Sequence, residues 1–135
     1  MNSRRKGAAG EREAAKAFAA AVGLPAHTCH RGQQFKGGTD SPDIVTPLRD
    51  IHLEVKRVER GNPYDWMAGA IRDAGDRCPV VLHRRSNAPW LLIVRLSDVR
   101  RLAAEVSPQI EAVGGGPLPC DLSDPGVPQI PGSDG

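Results

Sequence analysis

Cysteine is scarce in this 135-residue chain: Cys29, Cys78 and Cys120 are odd in number, far apart and never spaced Cys-x-x-Cys. That argues against a disulfide framework and against a structural zinc site, leaving reduced thiols without special chemistry. Long apolar runs are missing too. Nowhere do the roughly 18 consecutive apolar residues of a membrane-crossing helix occur, and the opening Met1-Asn2-Ser3-Arg4-Arg5-Lys6 has no apolar stretch behind it. A cytoplasmic protein with no membrane partner is therefore expected. Aromatics are few, at 4%, so Trp66 and Trp90 are expected in core packing rather than in stacking on a ligand.

Basic residues are absent from Ser107 onward, while that segment holds four acids, Glu111, Asp121, Asp124 and Asp134. All 18 Lys and Arg and the other 12 of the 16 acids fall in residues 1–106, which carry +6. A basic body suits a polyanion such as nucleic acid, although a solvated surface of ordinary composition has the same look. Residues 107–135 contain six Pro and six Gly with almost no apolar periodicity. A flexible tail without its own core follows, so the expected division is one domain over 1–106 and a tail over 107–135.

Within the body, Ser3 to about Val22 is rich in Ala, Glu, Arg and Lys and stops at Gly23, the pattern of a helix with a glycine C-terminal signal. A strand is expected in His27–Phe35, then a loop through Gly37, Gly38, Thr39, Asp40, Ser41 and Pro42. Asp43–Val45 and Ile51–Arg57 read as strands joined across Pro47–Asp50, a connection short enough for a hairpin. Asn62-Pro63 opens a second helix that ends near Gly75, with Tyr64, Met67 and Ile71 on its apolar side. Pro79–Arg84 and Trp90–Arg95 are β-rich, and Ser97 is expected to cap a last helix through Val106. The element order is α-β-β-β-α-β-β-α.

Chemistry concentrates in Ile51-His52-Leu53-Glu54-Val55-Lys56. Strand side chains alternate, so Ile51, Leu53 and Val55 share one face while Glu54 and Lys56 share the other. Alone, this is the pattern of any amphipathic strand with one face in water. Asp43, at the head of the adjoining strand, changes the reading, because a hairpin sets its carboxylate beside Glu54. Two convergent carboxylates suit a hard cation such as Mg²⁺, with the Val55 carbonyl as a further ligand and open positions for phosphate oxygens. Lys56 then stands where an ammonium orients the attacking water and offsets developing negative charge. On the first helix Glu11 shares the stripe of Ala15, Phe18 and Val22, whereas Glu13 falls on the solvent side. A carboxylate on an inward stripe needs a cation, so Glu11 is expected to turn to the same metal site or to an internal Arg.

With these residues in view, the chain resembles the PD-(D/E)xK nuclease superfamily: Pro42-Asp43, then Glu54-Val55-Lys56 after a short hairpin. The opening Lys6-Gly7-Ala8-Ala9-Gly10-Glu11-Arg12 is similar to the Lys-Gly-x-x-x-Glu-Arg start of archaeal-type and phage Holliday junction resolvases. The resemblance covers about residues 4 to 100. It implies an α/β restriction-endonuclease-like fold, an α-β-β-β-α-β core with a central mixed sheet flanked by helices. It also implies a catalytic set of Glu11, Asp43, Glu54 and Lys56, with Glu11 linked to the metal. The expected protein is a homodimer that makes paired nicks in four-way DNA junctions with Mg²⁺ or Mn²⁺, in a bacterial cell or phage-infected host. The loop Gly37–Ser41 departs from the archaeal pattern, which carries a Ser-bearing basic loop, so nuclease activity is the firmer implication. DNA ends, flaps or a specific duplex are the alternative substrates, and a non-catalytic DNA-binding protein of the same fold is the alternative from another class.

Arg4, Arg5, Lys6, Arg31, Lys36, Arg57 and Arg60 cluster around the candidate site in sequence and are the expected phosphate contacts. Each taken singly has the composition of a solvated surface residue. His27, His30, His52 and His83 match no ligand spacing and are read as structural or surface residues, although His52 shares the polar face of Glu54.

Overall fold

The computed structural model describes residues 3–32 and 42–114, with backbone only for residues 3–7. Helix α1 runs Ser3–Val22, as its helix-favouring composition dictates. Ala14, Ala15, Phe18, Ala19 and Val22 are buried, the three-and-four spacing of one helical face. Gly23 takes φ +83° and Leu24 N–H bonds back to Ala19 O at 2.9 Å, closing the helix in a Schellman-type end.

In place of a strand from His27 onward there is a 3-10 turn at Ala26–Thr28, fastened by Thr28 Oγ1 donating to Pro25 O at 2.7 Å. Only His30–Arg31 forms strand β1; residues 33–35 of that expected strand, and 36–41 of the loop before Pro42, lie outside the described residues. Strands β2 (Ile44–Val45) and β3 (Ile51–Arg57) follow, then helix α2 (Pro63–Ala74), strands β4 (Cys78–Arg84) and β5 (Leu91–Val94), and helix α3 (Val99–Ala112). The five strands form one mixed sheet in the order β1-β2-β3-β4-β5, parallel only between β3 and β4. That parallel pair requires a crossover, and α2 supplies it.

The crossover decides what is buried. Leu53, Val80 and Leu82 pack with α1, and Leu102 and Val106 of α3 pack against the same cluster. Val81, on the other side of the sheet, packs with Met67 and Ala70 of α2, with Trp66 and Ile93 beside them. The two faces of β3 and β4 are therefore both covered, and the fold is a three-layer α/β sandwich of restriction-endonuclease-like order.

Three local expectations are corrected. α2 is capped as expected, Asn62 Oδ1 accepting from Tyr64 N at 2.9 Å with Pro63 at the first position. It buries Met67, Ala70 and Ala74, however, and leaves Tyr64 86% exposed and Ile71 half out, because small residues let the helix sit close on the sheet. Ser97 lies in a 3-10 turn at Leu96–Asp98, and Asp98, held by Arg95 Nε at 2.7 Å, occupies the cap position of α3. Finally, α3 passes through Pro108 to Ala112, six residues beyond Val106. Its far end is held against α1, since a Cβ on Gly23 would stand 2.7 Å from Val113 Cγ2 and 2.9 Å from Gln109 O. Residues 115–135 lie outside the described part.

Candidate active site

β2 is only two residues long, and its pairing with β3 stops at Ile44↔Leu53. Asp43 N–H still bonds Leu53 O at 3.0 Å, but the next group along β3, the Val55 N–H, is taken by the Asp43 side chain, Oδ2 at 2.8 Å. The carboxylate thus replaces a rung of the ladder. A strand residue presents its N–H and C=O on the same edge, so the Val55 carbonyl faces the side where Asp43 stands. On the other flank Gly32 N–H bonds Asp43 O at 2.8 Å, and a Cβ on Gly32 would fall 2.3 Å from Pro42 O. Only glycine admits so close a backbone approach there.

Glu54 projects from the α2 side of β3 and hydrogen-bonds both Asp43 and His52, the latter with His52 Nε2 at 2.7 Å from Glu54 Oε1. Burial pushes the Asp43 carboxyl up to about 7 despite the Val55 N–H, and the charges of Glu54 and Glu11 push the same way. Burial would raise Glu54 as well. The hydrogen bonds of His52 and Asp43 and the positive charges of His52 and Lys56 outweigh it and hold Glu54 below the usual carboxylate range. Two carboxyls in contact resist ionising together, because each raises the cost of charge on the other. Hard oxygen donors compressed in this way fit a divalent ion.

Glu11 is held from α1 by Arg31 Nε at 2.6 Å, close enough for its charge to be felt at Asp43. Its partner is therefore an exposed arginine, 42% accessible, rather than an internal one, and the acid pair is near enough to feel its charge. Glu13 keeps 41% of its side-chain surface, against 16% for Glu11, on the outer side as expected, and from there it pairs with Arg84, which is 8% exposed, and lies 3.9 Å from Arg57. Arg57 also reaches Glu59 at 3.5 Å. Lys56 stands on the same face as Glu54, in register with His83 of β4. Arg60 is exposed in the turn before α2. The side chains of Arg4, Arg5 and Lys6, and all of Lys36, are outside the described residues.

The sequence reading took His52 for a structural or surface residue and left Asp73 unremarked. His52 is fully buried under α2, and Asp73 of α2 brings a carboxylate oxygen into its company and that of Glu54. Part of the signal was available: the β3-α2-β4 crossover lays α2 over one face of β3, here the face that carries His52, Glu54 and Lys56, whereas the reach of Asp73 depends on the rotation of the helix.

A mixed sheet flanked by helices, with Asp and Glu-x-Lys converging from adjoining strands, defines the PD-(D/E)xK class of nuclease. The chain belongs within it to the family described as "Phage putative PDDEXK endonuclease", whose sequence model matches residues 2–113. No curated protein and no solved structure matches the chain. No helix among the described residues is long and apolar enough to cross a membrane.

Proposed function

We propose that the protein is a Mg²⁺-dependent endodeoxyribonuclease acting on four-way DNA junctions, with Mn²⁺ as an alternative ion. The observation that carries the nuclease site is the hydrogen-bonded Asp43–Glu54 pair with Lys56 beside it on β3. Asp43, Glu54 and the Val55 carbonyl would hold the ion, with Glu11 joining through its neighbourhood to Asp43. When bound, the ion supplies Lewis-acid polarisation of the scissile phosphate and a lowered pKa for a coordinated water. Lys56 orients that water and offers an ammonium to the charge that grows on the phosphate oxygens. His52 fixes the Glu54 carboxylate by its 2.7 Å hydrogen bond.

A cleft rimmed by arginines supports the path of a DNA strand. Arg60 and Arg85 rim it beside Glu59, its floor is largely apolar around Trp66 and Leu91, its volume is about 420 Å³, and it meets Lys56 through His83. Arg31 and Arg57 are already engaged with acids, so their phosphate contacts would be made while those pairs persist. Junction selectivity rests on the similarity of residues 6–12 to the start of Holliday junction resolvases. One chain carries one Asp43–Glu54–Lys56 set, so paired nicks on opposing strands call for two copies, a homodimer.

The test is cleavage of a labelled immobile four-way junction and of its linear duplex arms, with Mg²⁺ and with EDTA. Symmetrical paired nicks on the junction alone, lost in EDTA, support the reading. Equal cutting of both substrates keeps the nuclease and discards the junction. Asp43→Asn is expected to abolish cleavage and keep DNA binding, since Asn still accepts from Val55 N–H but cannot supply the charge. Wild-type cutting by that variant would overturn the site.

A further inference from the structure

We propose that His52, Glu54 and Asp73 form a second divalent-cation site, one that takes a first-row transition ion such as Mn²⁺ and shares Glu54 with the Asp43 pair. The proposal rests on the reading of Glu54 as a metal ligand and extends it to the opposite side of that carboxylate.

A ring nitrogen of His52 and one carboxylate oxygen each of Glu54 and Asp73 lie within 4.8 Å of one another. Ligands bound at about 2–2.2 Å to one ion stand about 3–4 Å apart, so small side-chain shifts would bring the three onto a common centre. They come from two elements fixed by packing. His52 and Glu54 alternate on β3, and Asp73 sits on α2 next to the buried Ala74.

The imidazole is fixed by burial with one nitrogen turned to the acids. His52 is fully buried, and its Nδ1 has no hydrogen-bond partner among the described residues. Its Nε2 is the nitrogen turned to the carboxylates, 2.7 Å from Glu54 Oε1, and is the ring atom that would take the ion in exchange for that hydrogen bond. Water access lies on the carboxylate side, where the Glu54 and Asp73 side chains keep 14% and 24% of their surface. Arg72 Nε is 3.8 Å from Asp73 Oδ1, but at 73% exposure this pair is weak and opens readily to a cation.

The donor set selects the ion. One imidazole nitrogen with two carboxylates is softer than the oxygens around Asp43, and imidazole favours transition ions over Mg²⁺. Glu54 would then bridge two centres, a geometry that nucleases use to hold the attacking and leaving oxygens of a phosphodiester together.

The experiment uses the full-length protein at neutral pH and two readouts: the number of Mn²⁺ ions bound, by calorimetric titration, and electron-spin-echo detection of a nitrogen nucleus coupled to bound Mn²⁺. Wild type is expected to bind two ions and show imidazole nitrogen coupling. Asp73→Asn should weaken one equivalent at least tenfold and keep the other. His52→Gln should remove the nitrogen coupling. Asp73 lies at the accessible side of the cluster, so its Asn variant tests the site even if His52→Gln fails to fold, and the wild-type spectrum needs no variant. A single Mn²⁺ that is lost in Asp43→Asn, retained in Asp73→Asn and free of nitrogen coupling would overturn the second site while keeping the first. A single nitrogen-coupled Mn²⁺ lost in Asp73→Asn and retained in Asp43→Asn would uphold the His52 site and overturn the Asp43 pair as a metal centre.

Discussion

Asp43 carries a conflict between stability and chemistry. Its carboxyl is held near 7 by burial first, then by Glu54 and Glu11. In the unfolded chain it loses its proton at about pH 4, so between about 4 and 7 the folded state binds more protons and stability falls as pH rises. The lowered Glu54 works in the opposite sense at the acid end. A divalent ion removes the repulsion, and it needs both groups ionised. We therefore expect the metal-free protein to melt at a lower temperature at about pH 8 than at about pH 5.5, and millimolar Mg²⁺ to raise the melting temperature more at pH 8, by a few degrees. Scanning fluorimetry at the two pH values decides it: equal Mg²⁺ shifts would mean that Asp43 does not hold the proton. The acid pair was legible in the sequence because strand alternation and a short hairpin place Asp43, Glu54 and Lys56 with no knowledge of packing. Asp73 was not, because its position depends on how far α2 is rotated on the sheet, and the buried Ala70 and Ala74 set that rotation more than the larger Tyr64 and Ile71.

Short elements aim the site. β1 and β2 have two residues each, and what keeps Asp43 pointed at β3 is the Gly32–Pro42 approach and the bonds of Asp43 to Leu53 and Val55. Gly32→Ala would put a methyl 2.3 Å from the Pro42 carbonyl, so backbone must move. The expected result is a loss of about 1–3 kcal/mol of stability and a fall in cleavage rate of about tenfold to a hundredfold, since misplacement of catalytic groups by about 1 Å carries that penalty. Denaturant unfolding and single-turnover cleavage measure the two effects separately, and a variant that cuts normally would show that this contact does not position Asp43. Elements with strong periodicity or clear caps, such as α1, β3 and α2, were readable to within a residue. The 3-10 turns and the extension of α3 were not. Thr28 and Asp98 act through local hydrogen bonds that alternation does not encode, and α3 outlasts Pro108 because its end packs on Gly23.

For the molecule as a whole, the element order was legible and the path of DNA was only partly so. The +6 of residues 1–106 says that a polyanion is welcome but not where it lies. Many basic side chains are committed internally: Arg84 and Arg57 to Glu13, Arg31 to Glu11, Arg101 to Asp50 at 2.8 Å. Such pairs release few counterions when DNA binds, so the salt dependence should reflect a smaller set of cations than composition suggests. Arg60 is exposed in the cleft that meets Lys56, whereas Arg100 is exposed on α3, across the sheet from α2. If DNA follows the cleft, Arg60→Ala weakens binding alike for all sequences and lowers the slope of log affinity against log salt by about one, while Arg100→Ala leaves the slope unchanged. The measurement is fluorescence anisotropy of labelled duplex with the Asp43→Asn protein over a range of KCl. A reduced slope in the Arg100 variant but not in the Arg60 variant would place the DNA on the α3 side of the sheet. It would also separate the bound strand from the acid pair that is proposed to cut it.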